Sequence, residues 1–231
     1  MNIQCISSGS KGNCYLVDDG AHRILLECGV PFKQIQKSIG YITSSIGGCL
    51  ITHEHYDHAN CFSELYRRGI RMYSSKGTAD ALKAPYIVPL TPLEMENIGD
   101  FSVLPFPVEH DAAEPFGYLI VSNLTSEKLM FVTDTKYCRY SIHGIDYIMC
   151  EANYDEEIMK ENIISKNIDI SLSNRIIKSH MSIQTAVDFV KTNASSNLKA
   201  VYLIHLSDKN SDEIAFKQRM QQEIGVPVYV F

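Results

Sequence analysis

Three imidazoles and two carboxylates fall within the seven residues Thr52-His53-Glu54-His55-Tyr56-Asp57-His58, directly after the apolar run Gly48-Cys49-Leu50-Ile51. Side chains of the metal-ligating type therefore begin where a buried strand should end. The chain must fold so that one strand leaves its core at this point. Imidazole nitrogen and carboxylate oxygen suit zinc and its first-row neighbours, and so dense a group can supply two ions. With only eight histidines in 231 residues, the pattern His-x-His-x-Asp-His is far from what a polar surface loop gives by chance.

A two-ion centre needs about seven protein ligands around a shared water, so one loop is not enough. Three later residues qualify, each following a predicted strand: His110 after 101–108, Asp134 after 129–132 and His205 after 201–204. Ligands at strand ends are held by the sheet, which is what a preorganised site requires. His22, in a hairpin, and His143, in a short polar stretch with no strand before it, are set aside.

Strand signals at 2–7, 14–17 and 23–27 are separated by Ser8-Gly9-Ser10-Lys11-Gly12-Asn13 and by Asp18-Asp19-Gly20, which predicts an antiparallel meander. A Gly-Ser turn of this kind can cradle a phosphate, although reversing the chain is its commoner task. Helices are expected over 31–39 and 60–68, the second following a strand at 49–52 and the ligand loop. Arg67, Arg68, Arg71 and Lys76 read as a solvated basic face. Strands are expected at 101–108, 116–121, 128–132 and 146–151. A largely helical stretch at 155–193 is interrupted near Ser179-His180, and a strand at 201–204, a helix at 208–223 and a strand at 226–230 complete the chain. The length suits one domain spanning 1–231. This order argues for an α/β fold with two sheets in the middle and helices on both outer faces.

The apolar share of 45% is that of a globular protein, and no apolar run is long enough to span a bilayer. Residues 1–6 read as a strand without the basic start and apolar middle of a signal peptide, so a cytoplasmic protein is expected. Seven scattered cysteines, at 5, 14, 28, 49, 61, 138 and 150, with no Cys-x-x-Cys pair, predict buried free thiols rather than a disulfide framework or zinc ribbon. The net charge of -6 gives no general attraction to nucleic acid. Two bound divalent ions would add positive charge at the one place where a phosphate would dock.

The order His53-x-His55-x-Asp57-His58, His110, Asp134, His205 resembles the metallo-β-lactamase fold superfamily along nearly the whole chain. Within it, Ser8-Gly9-Ser10-Lys11-Gly12-Asn13, Thr52-His53-Glu54-His55, His110-Asp111-Ala112-Ala113-Glu114-Pro115-x-Gly117-Tyr118 and His205-Leu206-Ser207 are most similar to the YycJ/WalJ branch of predicted exonucleases. The resemblance implies a four-layer αββα sandwich. It further implies that His53, His55 and His110 hold one metal ion, that Asp57, His58 and His205 hold a second, and that Asp134 bridges them. A β-lactamase would have cysteine at the position of Asp134, and Ala59-Asn60 departs from glyoxalase II. His180-Met181-Ser182 resembles the helix start with which ribonuclease Z contacts the scissile phosphate, making His180 and Ser182 candidate substrate-binding residues. Glu27 stands where relatives have Asp, and its longer arm is expected to shift the ligand it touches.

Two divalent ions sharing a water present a hydroxide for attack on phosphorus or a carbonyl. Asp57 can both ligate and take the proton, and His180 can protonate the leaving oxygen or hold the phosphate; as N-cap neighbour of the Ser182 helix, His180 has an equally good purely structural explanation. Nitrogen and oxygen ligands suit zinc first, with manganese or iron as alternatives. The expected function is thus a phosphodiesterase, a nuclease acting on DNA or RNA. Two alternatives stay open: a hydrolase of small esters, thioesters or cyclic phosphodiesters, and a catalytically silent metal-binding sensor. The oligomeric state is not written in the sequence.

Overall fold

Short runs of β-branched and aromatic residues set between Gly, Ser and Asp become strands where a neighbouring run can pair with them. The computed structural model describes residues 1–231. They divide into two units, Met1–Pro107 with Ala112–Glu127, and Val108–Asp111 with Lys128–Phe231.

The first unit begins with the expected meander of β1 (Asn2–Ser7), β2 (Cys14–Asp18) and β3 (Arg23–Leu26), paired antiparallel. After α1 (Phe32–Ser38) the sheet turns parallel through β4 (Ile46–Leu50). The one-turn α2 (Tyr56–Ala59) and α3 (Phe62–Arg67) lead to β5 (Met72–Ser74), and α4 (Lys76–Ala81) leads to β6 (Val88–Pro89). Ile35 of α1 and Leu65 of α3 are fully buried with Leu25, Cys49 and Met72 of the sheet. Each such side chain stabilises the unit by about 1.5–3 kcal/mol through burial. Gly40 stops α1 in the left-handed region, with φ of 63°, where a side chain would be strained. Strands β7 (Glu96–Ile98), β8 (Phe101–Pro107) and β9 (Phe116–Ser122) form an antiparallel set.

In the second unit β10 (Lys128–Val132) and β11 (Tyr147–Glu151) pair in parallel. Three helices follow: α5 (Glu156–Ile164), α6 (Ile170–Ser179) and α7 (Ile183–Asn193). Then come β12 (Ala200–Ile204), α8 (Glu213–Ile224) and β13 (Val228–Val230), and the parallel order is β10, β11, β12, β13. These central strands are buried along almost their whole length without alternation, as parallel strands are when both faces are covered.

Some boundaries differ from the sequence expectation. β4 starts at Ile46 because Ile46 pairs with Arg23, and it is finished by Leu50, before the ligand loop. The helical stretch after 155 breaks twice rather than once. Its additional break, between α5 and α6, contains Lys166 with φ of 59°. Helix α8 begins at Glu213, where the Asp212 carboxylate accepts a hydrogen bond from Ala215 N–H at 2.9 Å, a cap that sets the start more strongly than the apolar spacing does. All seven cysteines are free thiols, six of them buried and Cys5 half-buried. No helix is long and apolar enough to cross a membrane.

Candidate metal centre

In the first unit the ligand loop leaves the carboxyl end of β4 under close control. The Ile51 carbonyl accepts hydrogen bonds from Tyr118 Oη at 2.6 Å and Ser74 Oγ at 2.7 Å, and the Thr52 carbonyl accepts one from Phe116 N–H at 3.1 Å. His53, 1% exposed, has its Nδ1 2.8 Å from Thr52 Oγ1 and its Nε2 3.1 Å from Nδ1 of His55. The chain then closes the single turn α2, in which His58 N–H and Ala59 N–H both donate to the His55 carbonyl. That turn places the His58 ring 4.2 Å from the His53 ring, centroid to centroid, and His58 Nε2 3.4 Å from Asp57 Oδ2.

Glu27 follows β3 directly, beside this loop, with φ of 65° and no solvent exposure. One carboxylate oxygen lies 3.5 Å from His58 Nδ1 and the other accepts from Thr52 N–H at 3.3 Å. Burial pushes the Glu27 carboxyl up, against the pull of His58 and Thr52. A carboxylate behind one ring nitrogen orients the other toward a metal ion, and the long arm of Glu27 reaches far enough to do so.

The second unit assembles its own group at the carboxyl ends of three adjacent parallel strands. Asp134 lies two residues beyond β10, Glu151 is the last residue of β11, and His205 follows β12. The chain bends sharply there, Asp134 and His205 having φ of 46° and 54°. The two oxygens of Asp134 face different histidines: Oδ1 is 3.2 Å from His205 Nδ1 and Oδ2 is 3.6 Å from His110 Nε2. His110 Nδ1 lies 3.2 Å from the Ser179 carbonyl, the partner that directs Nε2 toward Asp134. Burial pushes the His110 pKa down, with Asp134 pulling the other way, and a neutral imidazole is the form that ligates.

Glu151 was not among the sequence candidates, because it reads as the end of a buried strand. It has no solvent exposure. Its Oε1 bonds His180 Nδ1 and lies 3.2 Å from His205 Nδ1, while Oε2 accepts from Thr135 N–H at 3.1 Å and Met181 N–H at 3.3 Å. Burial opposes charge on both partners. The attraction between them wins, lowering the Glu151 pKa and raising that of His180. In a buried pair of this kind each group offsets the desolvation cost of the other.

Both halves fit divalent ions. Nitrogens bound to zinc at about 2.0–2.1 Å in a tetrahedron stand roughly 3.3 Å apart, and His53 Nε2 and His55 Nδ1 are separated by 3.1 Å. In the second unit the two oxygens of Asp134 stand 3.2 Å from His205 Nδ1 and 3.6 Å from His110 Nε2, while His180 is taken up by Glu151. The donors in both are nitrogen and oxygen without thiolate.

A family model described as a beta-lactamase superfamily domain matches residues 22–206. The chain belongs to that superfamily. Exodeoxyribonuclease YycJ of Bacillus anthracis is 28% identical over 239 residues, spanning 93% of this chain and 86% of the relative. Exodeoxyribonuclease WalJ of Streptococcus pneumoniae is 27% identical over 247 residues, spanning 96% and 90%. Among solved structures, the metallo-beta-lactamase fold protein YhfI of Bacillus subtilis matches with a TM-score of 0.76 at 16% identity, covering 99% of this chain and 95% of the other. The mixed α/β class with two sheets and helices is therefore the one expected from the element order. Family, fold and donor chemistry make this superfamily member a metal-dependent hydrolase.

The remaining candidate residues have plain structural positions. Ser182 is the N-cap of α7, its Oγ accepting from Thr185 N–H at 3.2 Å. His22 lies 3.0 Å from Asp100, and His143 is exposed. The Gly-Ser turn is drawn inward: Gly9 N–H donates to Asn13 Oδ1 at 2.9 Å, Gly12 N–H to the Gly9 carbonyl at 2.9 Å, and Asn13 N–H to the Asp57 carbonyl at 2.7 Å. Those three amides are spent on the protein itself rather than held ready for a phosphate.

Proposed function

We propose that the chain is a single-domain, two-metal phosphodiesterase that acts as a nuclease on DNA or RNA. Its metal ligands are then the seven residues of the motif: His53, His55, Asp57, His58, His110, Asp134 and His205. Zinc suits these donors best, with manganese or iron as alternatives. The observation that carries the proposal is that two relatives matched along more than nine-tenths of this chain are both exodeoxyribonucleases. The Glu151–His180 pair supports it, since an imidazole whose pKa a buried carboxylate raises suits an anionic phosphodiester better than a neutral ester.

When bound, two divalent ions lower the pKa of a shared water and offset the charge that develops on the phosphoryl oxygens. The protein's own part is positional. Asp57, whose Oδ2 lies 3.4 Å from His58 Nε2 in the one-turn helix, takes the proton in this reading. Glu151 holds Nδ1 of His180 and raises its pKa, so in the protonated ring Nε2 is the atom that donates to a phosphate or leaving oxygen. Glu151 also fixes the ring plane through two backbone amides from different segments, at Thr135 and Met181. General-acid help of this kind is worth about 10²–10⁴-fold in rate.

The test is hydrolysis of a bis-aryl phosphodiester and of end-labelled DNA and RNA by the metal-loaded protein, alongside small esters and thioesters. Asp134→Ala and His58→Ala should abolish turnover while circular dichroism shows the fold intact. A metal-loaded wild type that cleaves only the esters, or nothing, overturns the proposal.

A further inference from the structure

Asn13 is 1% exposed, and both its main chain and its side chain are committed. Its N–H donates to the Asp57 carbonyl at 2.7 Å, and its side-chain Nδ2 points at the same carbonyl at 3.3 Å and at His58 Nε2 at 3.2 Å. The opposite end of the amide, Oδ1, accepts from Gly9 N–H at 2.9 Å and Tyr15 Oη at 3.2 Å, and the Tyr15 hydroxyl is itself 2.9 Å from Ser8 Oγ. The Asn13 carbonyl accepts from Gly29 N–H at 2.9 Å. One amide side chain thus ties the Ser8–Asn13 turn to the half of the ligand loop that carries Asp57 and His58. The other half takes its hold elsewhere, through Thr52 Oγ1 on His53 Nδ1 and the hydroxyls on the Ile51 carbonyl.

We propose that Asn13, oriented by Tyr15 and the Gly-Ser turn, is a positioning residue that sets the Asp57–His58 half of the metal loop separately from the His53–His55 half. A side-chain amide is suited to this task. It offers N–H donors at one end for the Asp57 carbonyl and at the other an oxygen that the turn holds, so its plane is fixed from both ends, and its contact with His58 Nε2 gives way when that nitrogen takes a metal ion. A carboxylate at this position would lack the donors, and a hydroxyl would fall short of both His58 and Asp57. The inference rests on the loop binding metal, and it predicts that the two ions depend on Asn13 unequally.

The experiment is titration of Zn²⁺ alone into the metal-free protein, with a competing chelator to resolve the two binding steps, for wild type, Asn13→Ala and Tyr15→Phe. Unfolding of each metal-free protein is measured in parallel. In Asn13→Ala one step should weaken by about 10–100-fold, the usual effect of removing a group that orients a metal ligand, while the other step stays near its wild-type value. Tyr15→Phe keeps the packing and removes only the hydroxyl, so it should weaken the same step by a smaller factor. If both steps fall together in step with lost stability, or if neither moves in either variant, the assignment is wrong. A wild type that takes up no Zn²⁺ overturns the metal reading itself, and this inference with it.

Discussion

Replacing Gly29 by alanine tests how tightly the Asp57 end of the loop is held. A Cβ at this position would lie 1.7 Å from the Asp57 carbonyl oxygen, 2.2 Å from its carbon and 2.8 Å from Asn13 N. All three are backbone atoms, so no side chain can swing aside. Restoring ordinary contact requires a retreat of roughly 1.5 Å, and a hydrogen bond that starts at 2.7 Å, between Asn13 N–H and Asp57 O, does not survive that. The 3.3 Å contact from Asn13 Nδ2 to the same oxygen fails with it. Losing two buried hydrogen bonds costs about 1–3 kcal/mol each, so a total of about 2–6 kcal/mol is expected. The same shift exceeds the ±0.2 Å or so within which ligand distances must fall. Urea unfolding with and without Zn²⁺ reads both effects. Gly20→Ala is the control, because Gly20 has φ of 101° but nothing within 4 Å of a new Cβ; it carries only the backbone strain, on the order of 1–2 kcal/mol. If Gly29→Ala unfolds at the same urea concentration as Gly20→Ala and binds Zn²⁺ like wild type, the close packing of this turn on the loop is not what the structure says.

Glu151→Gln removes the charge that raises the His180 pKa and should cost about 3–5 kcal/mol of stability, as breaking a buried pair does. A kcat within twofold of wild type would exclude His180 as a proton donor. Zn²⁺ at about 100 times its dissociation constant should add roughly 2.7 kcal/mol to stability, and a chelator should remove it; an unchanged unfolding midpoint argues against metal binding. Tyr56 is 76% exposed in the middle of the ligand loop, and stacking on a nucleobase would be worth about 1–3 kcal/mol. Tyr56→Ala should therefore raise KM for a labelled strand and leave Zn²⁺ uptake alone, and an unchanged KM would count against base stacking there. Burial opposes ionisation of Asp19, but the Ser122 hydroxyl at 2.7 Å and the amides of His22 and Ala21 prevail and hold its carboxyl below the ordinary range. The folded pKa being the lower one, this stability is present at neutral pH and fades as pH falls through it. Ser122→Ala should flatten that part of the acid-unfolding curve.

The ligand loop, His110, Asp134 and His205 could be picked out of the sequence as candidates because each follows an apolar run. A polar ligand-type side chain at the end of such a run stands out against its neighbours. Glu151 gave no such signal. It is the final residue of the apolar run Tyr147–Glu151, and a lone acidic residue at a strand end is ordinary. What makes it part of the site is that β11 lies between β10 and β12, a neighbour relation between distant segments. Asn13 was hidden for a similar reason, since its partners at Asp57 and His58 are more than forty residues away. Helix α6 escaped the periodicity rules in another way. Its buried positions are Ser173 and Ser179, while Ile170, Leu172 and Ile177 face outward, so its apolar residues do not mark the side that packs.

Three strands ending side by side make the centre of the second unit a matter of counting. Glu151 pairs with Ile204, one residue short of His205, and Val132 pairs with Cys150, one residue short of Glu151. A slip of one residue between β11 and β12 would turn every side chain of the slipped strand to the opposite face. It would put isoleucine or leucine where His205 belongs. The register that fills the core is thus the same register that gathers the charged groups, and a chain that misaligns its sheet loses its chemistry in the same event. Mutations that loosen the pairing of β12, even at residues that are not ligands themselves, should for this reason be read out first as lost metal rather than as lost fold.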